Sequence, residues 1–280
     1  MTFADPPEES PWLRHNPHAR AALEEQAATA RRRERRWGIT AIEVGAGLLL
    51  VAIVMGPVLA HPNDALAGGL DAPYHAWLGW RLADLFRHGT FFTLTVPDAF
   101  APNGFDLRLV DGLLPAWVTA AFDLLTGGRM ILAYNLALAT GVGLDLWAGR
   151  RLAQAVSDRR WIWFASGAAF ATAPALAGSL GAHIAFVYAF PIPVLLREAI
   201  LLARGDRPVA RVPWIPLGVL FAVAYLCSSY HLIFGAIAFA LVLVAWPRSR
   251  VWSRAVAARV AGAVAVALSL IHISEPTRPY

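Results

Sequence analysis

Long apolar runs, interrupted at intervals by clusters of arginine, dominate the pattern from residue 38 onward. The segments 38–60, 130–149, 161–178, 183–203, 212–228, 231–246 and 255 onward read as helices, most of them close to the length that crosses a bilayer, about 20 apolar residues. Arg31 to Arg36, then Arg150, Arg151, Arg159 and Arg160, then Arg204, Arg207 and Arg211, and finally Arg248, Arg250 and Arg254 fall on one side if each segment crosses once. Positive charge concentrates on the cytoplasmic side of membrane proteins, so that side is expected to be the cytoplasm. The predicted fold class is all-α: a polytopic transmembrane helical bundle with interfacial helices in its first extracytoplasmic loop, residues 61–129.

Two helices are expected inside that loop. Leu113 to Leu125, LLPAWVTAAFDLL, is apolar but short, contains Pro115 and Asp123, and is followed by Gly127 and Gly128. A crossing there would move every later arginine cluster outside, so the segment is expected to lie at the outer surface or to re-enter. The other helix runs from Ala72 to His88, where Tyr74, Trp77, Leu78, Leu82, Leu85 and Phe86 recur at helical spacing. Such a stripe suits a helix lying in the membrane interface, with its tryptophans as anchors.

Composition sharpens this picture. Of 280 residues, 58% are hydrophobic and 15% charged, which excludes an average soluble domain. The single cysteine, Cys227, lies in an apolar run, so no disulfide framework is available. All 24 basic residues are arginine and the net charge is +5. Residues 1–36 are polar and end in RRRERR, far too late for a secretory signal, and read as a cytoplasmic tail. Beside a membrane span that cluster is expected to contact anionic lipid and not nucleic acid.

The chain changes style at its end. Residues 268–280, LSLIHISEPTRPY, break the Ala/Val-rich run before them, and Leu268 to Arg278 resemble the in-frame translation of a transposase mosaic-end sequencing adapter. His272 and Glu275 are therefore set aside as chemistry. The reading frame is expected to have been cut within a helix, with the natural protein continuing and this piece alone inactive.

Candidate chemistry gathers in the first loop, which carries Asp64, Asp71, Asp84, Asp98, Asp106 and Asp111 against Arg81, Arg87 and Arg108. Asp71 stands at the start of the 72–88 helix with Pro73 in its first turn, so its plainest role is an N-cap, and His75 one turn on could pair with it. The other role for a carboxylate at the mouth of a helical bundle, beside an arginine, is to deprotonate an acceptor hydroxyl while the guanidinium binds a phosphate leaving group.

The order of motifs carries a resemblance. DAPYHAWL, an interfacial helix ending in RHG, FAPNGFDL, LLPAWVTAAFDLLTG, AYNLALATGVGLDLWAGRRL, FASGAAFATAPAL, GSLGAHIAFVYAFPIPVLL and SSYHLIFG follow one another over residues 37–267. Together they resemble the N-terminal half of a GT-C type integral membrane glycosyltransferase of the bacterial inner membrane. The resemblance implies a sugar carried on a polyprenyl phosphate or pyrophosphate, an acceptor outside the cytoplasmic membrane, and Asp71 as catalytic base. Metal-dependent members pair acids in the first loop and add another in the next outer loop. No D-D, D-x-D or E-x-D stands near Asp71, and Gly178 to His183 holds no carboxylate, so the reaction is expected to use no metal and no other cofactor.

Substrate-binding candidates are His75, Arg81, Asp98, Asp106, Arg108, His183, Tyr230 and His231. Each also has a plainer role: turn and cap chemistry for Asp98, Asp106 and Arg108, a helix end for His183, and backbone satisfaction at a tight turn after Ser228 and Ser229 for Tyr230 and His231. Glu43 and Asp145 are expected near cytoplasmic helix ends, neutralised by arginines, with Arg197 and Glu198 toward the inner end of their span. Two rival functions stay open, a lipid-linked substrate flippase or transporter and a non-catalytic protein of the same architecture.

Overall fold

A computed structural model describes residues 40–64, 71–90, 95–96, 105–106, 112–173, 183–204, 214–245 and 254–273. The 1–36 tail, Asp98, Arg108, the connection 178–182 and the arginines at 207, 211, 248 and 250 lie outside the described residues. By contacts the chain divides after Leu48. Of the first unit only residues 40–48 are described, the start of an apolar helix, Thr40–Val54 (α1), with Ile42 and Leu48 exposed.

Among its described residues the second unit is built of helices apart from one short antiparallel bridge. Its helices are Gly56–Leu59 (α2), Ala72–Arg87 (α3), Leu113–Leu125 (α4), Met130–Ala153 (α5), Arg160–Ala171 (α6), Ile184–Val187 (α7), Pro191–Arg204 (α8), Trp214–Cys227 (α9), Ser229–Ala245 (α10) and Arg254–Ile273 (α11). The bridge pairs Thr95 with Asp106 and Val96 with Phe105. The described helices follow the segments the hydropathy pattern predicts, but 38–60 is split after Val54, 183–203 is split before Pro191, and 161–178 is described as helix only to Ala171; α11 runs unbroken past Leu268. Among the described residues two stretches, Met130–Ala153 and Ile184–Arg204, are long and apolar enough to cross a membrane.

The Ile184–Arg204 stretch is broken, and the break shapes the site. Pro191 opens α8, and a residue before proline is pushed out of helical geometry. The main-chain N–H groups of Ala189 and Phe190 at this break face the buried carboxyl group of Asp145 on α5, whose Oδ1 has no hydrogen-bond partner among the described residues. Main-chain N–H groups thus stand beside Asp145 where the sequence pattern suggested a neutralising arginine. The Tyr188 hydroxyl donates to the Ala137 carbonyl at 2.8 Å, and its ring lies so close to Gly141 that a Cβ there would sit 2.8 Å from it. These contacts fasten the segment after His183 onto α5.

Small residues set the other close crossings. Gly149 and Gly167 bring α5 and α6 together: a Cβ on Gly167 would fall 2.5 Å from the Leu146 carbonyl oxygen, and one on Gly149 would fall 3.1 Å from the Gly167 Cα. Close backbone approach through small residues is how helices associate where no hydrophobic drive separates protein from lipid.

Helix α3 is packed more deeply than an interfacial stripe requires. Its buried side is Ala72, His75, Ala76, Leu78, Gly79, Leu82 and Ala83, while Trp80 is exposed and Tyr74 and Trp77 are half-buried. Leu78 and Leu82, with small residues beside them, therefore form the centre of the seam, and Trp77 packs only at its edge. At its far end Arg87 pairs with the fully buried Asp123 of α4 at 2.5 Å. A buried carboxylate left without its cation costs several kcal/mol, so Arg87→Met is expected to destabilise the folded protein by about 3 kcal/mol. Adding Asp123→Asn should restore most of that loss in a detergent-solubilised denaturation series. Equal stability of wild type and Arg87→Met would show that the pair holds nothing together.

Candidate functional site

The start of α3 and the segment entering α7 meet through one pair of side chains. His183 Nδ1 lies 2.9 Å from Asp71 Oδ2, with the two side chains 44% and 46% exposed. Asp71 occupies the N-cap position of α3, yet its side chain makes no cap hydrogen bond, and its backbone is helical rather than extended. The cap role is therefore not realised. A half-exposed acid–imidazole contact contributes about 1 kcal/mol or less, so the fold gains little from keeping an acid here.

Two hydroxyl groups sense the same carboxylate. Burial raises the Tyr74 phenol above the ordinary tyrosine range, and the Asp71 charge raises it further, so Tyr74 stays neutral at physiological pH. The Asp71 charge also reaches the Tyr134 hydroxyl of α5, which is fully buried and has no hydrogen-bond partner among the described residues. Next to it, Asn135 Nδ2 donates to the Pro62 carbonyl at 3.0 Å, which ties the chain after α2 to the same end of α5.

An aromatic group extends the site from His183. Phe186 sits edge-on to His183 at 5.3 Å between ring centroids, tilts against Tyr230 at 5.8 Å, and meets His231 edge-on at 6.1 Å. Tyr230 is half-exposed and stacks on Phe234 at 6.5 Å, whereas His231 is buried. The Tyr230 main-chain N–H donates to Ser228 Oγ at 3.2 Å, so Ser228 performs the backbone satisfaction expected at this turn. Gly112, at φ 90°, starts α4 against Ala185 and the Cys227 carbonyl, where a Cβ would come 2.8 Å from Ala185 Cβ. Glycine is required there by both backbone and space.

The sequence candidates divide accordingly. Asp71 and His183 come together directly, and Phe186 links His183 to Tyr230 and His231. His75 is buried on α3 beside the Tyr74 ring, and the imidazole that meets the Asp71 carboxylate is that of His183. Arg81 forms an ion pair with Asp84 on its own helix. Asp106 contributes its backbone to the short bridge; its side chain, like Asp98 and Arg108, lies outside the described residues. Phe186 and Tyr134 were not singled out by sequence, although Phe186 stands one helical turn after His183. Among the described residues no three His, Cys, Asp or Glu side chains gather to hold a metal ion.

No protein-family model, no curated protein and no solved structure matches the chain.

Proposed function

We propose that the chain belongs to a polytopic inner-membrane glycosyltransferase of the GT-C type, with its N-terminus inside, that moves a sugar from a polyprenyl-phosphate donor to an extracytoplasmic acceptor. The observation that carries this reading is the Asp71–His183 pair. A half-exposed carboxylate that neither caps its helix nor stabilises the fold appreciably is free for chemistry, and the imidazole 2.9 Å away fixes its orientation.

In the mechanism Asp71 takes the proton from the acceptor hydroxyl as that oxygen attacks the anomeric carbon. The bond to the polyprenyl phosphate breaks with inversion, and the phosphate leaves with the bonding electrons. His183 orients Asp71. Tyr74 and Tyr134 supply neutral hydroxyls near the carboxylate, and the Phe186, Tyr230 and Phe234 rings offer faces for a sugar or a prenyl unit.

The distribution of charge supports the membrane placement. Asn135 and Tyr134 near the start of α5 share an end with Asp71, while Arg150 and Arg151 close the opposite end of the same helix. Arg204, ending α8, donates to the Ala155 carbonyl at that second end. Arg150, Arg151 and Arg204 thus lie opposite the acid–imidazole pair, against Arg129 and Arg87 at the near end, which agrees with a pair that faces outward.

The test is turnover of a labelled polyprenyl-phosphate sugar by vesicles carrying the complete reading frame, with and without Asp71→Asn. Turnover that depends on Asp71 supports the reading. Turnover no greater than in protein-free vesicles, or unchanged in Asp71→Asn, contradicts it.

A further inference from the structure

The α5–α6 turn has a surface that the proposed transfer chemistry does not use. Trp147 is 47% exposed near the end of α5, Val156 is 54% exposed in the turn, and Trp161 is 66% exposed at the start of α6. Arginines interleave with these apolar groups. The Arg151 guanidinium lies over the Trp147 ring, 5.9 Å from its centroid, and its Nη1 donates to Gln154 Oε1 at 3.2 Å. Arg159 and Arg160 are exposed, and neither makes an ion pair among the described residues. The turn itself is built: the Trp163 indole N–H donates to the Ser157 carbonyl at 2.5 Å, and Arg204 donates to that of Ala155.

We infer that this turn is a binding site for the headgroup of an anionic phospholipid, with Arg159 and Arg160 on the phosphate and Trp147, Val156 and Trp161 seated among the glycerol and upper acyl segments. The inference rests on the reading of the chain as a membrane protein. Charge and polarity choose the occupant. Asp158 is the one acid in the turn, so an anion is favoured, but a soluble polyanion would leave three exposed apolar side chains in water. A phospholipid satisfies both halves: arginines meet phosphate with several donors each, and tryptophan settles at the headgroup level. Arg151, held over an indole, keeps its charge close to that level without an acidic partner.

Native mass spectrometry of the detergent-purified full chain, titrated with phosphatidylglycerol and separately with phosphatidylcholine, tests the site. Phosphatidylglycerol should be retained preferentially, and each of Arg159→Ala and Arg160→Ala should weaken it about fivefold. Arg129→Ala, an exposed arginine at the other end of α5, should leave retention unchanged. Equal retention of the two lipids, or full preference in the Arg159→Ala/Arg160→Ala double variant, overturns the inference. So does displacement of phosphatidylglycerol by inorganic phosphate at constant ionic strength, which would mark a free-anion site. Alkaline carbonate extraction separates the two levels: release of the wild-type chain from membranes overturns the membrane reading itself, whereas retention without lipid preference overturns the headgroup site alone.

Discussion

Replacing Asp71 with Asn is expected to lower sugar transfer by about 10²–10⁴-fold while leaving the folded protein as stable as wild type to within about 1 kcal/mol. The asymmetry follows from how Asp71 is held. Its side chain makes no cap bond, so Asn removes none. Its one described partner is His183 at 2.9 Å, in a pair too exposed to contribute much to folding. The amide keeps the size and can still accept a hydrogen bond from His183, but it cannot accept a proton from an attacking hydroxyl. Rates measured with labelled donor in vesicles, beside thermal unfolding of the same preparation, check both halves. A chelator should leave the wild-type rate unchanged if no metal takes part. A variant that loses stability and rate together would make Asp71 a structural residue after all.

A second large effect is expected at the α5–α6 crossing. Gly167→Val should destabilise the protein by about 3 kcal/mol or prevent its accumulation in membranes, because the added carbon would point at the Leu146 carbonyl oxygen 2.5 Å away and main chain cannot step aside as a flexible side chain can. Gly143 is the control. It lies on α5 with nothing within 4 Å of where its Cβ would be, so Gly143→Ala should be neutral, or stabilising by up to about 1 kcal/mol through helix propensity alone. Yield and unfolding temperature in detergent distinguish the two, and equal behaviour of both variants would show that the crossing is not set by its glycines.

The helices were legible because apolar length, proline, glycine and arginine delimit them locally. Leu113 to Leu125 and Ala72 to Arg87 could be placed almost to the residue on that basis. What local pattern cannot supply is the partner. Asp71 and His75 share a helix face and invite pairing, yet the imidazole that reaches the carboxylate comes from His183, through a break in a later helix created by Pro191 and set beside Asp145. The same limit hid the destination of Asp123. An acid in a short apolar helix signals a buried partner, but nothing in spacing points to Arg87 in the preceding helix. Asp145 shows the complementary lesson: the sequence holds two arginines close by, and the fold sets the carboxyl group beside main-chain amides instead.

The transfer mechanism and the headgroup site share one central claim, that the Asp71–His183 end and the α5–α6 turn lie on opposite sides of a membrane. Single cysteines at Asn63 and Val156, in a Cys227→Ser background, probed with a membrane-impermeant maleimide on intact spheroplasts, test it most directly. The account predicts labelling of Asn63→Cys in intact spheroplasts and of Val156→Cys only after permeabilisation. Labelling of both without permeabilisation, or the reverse pattern, would contradict it.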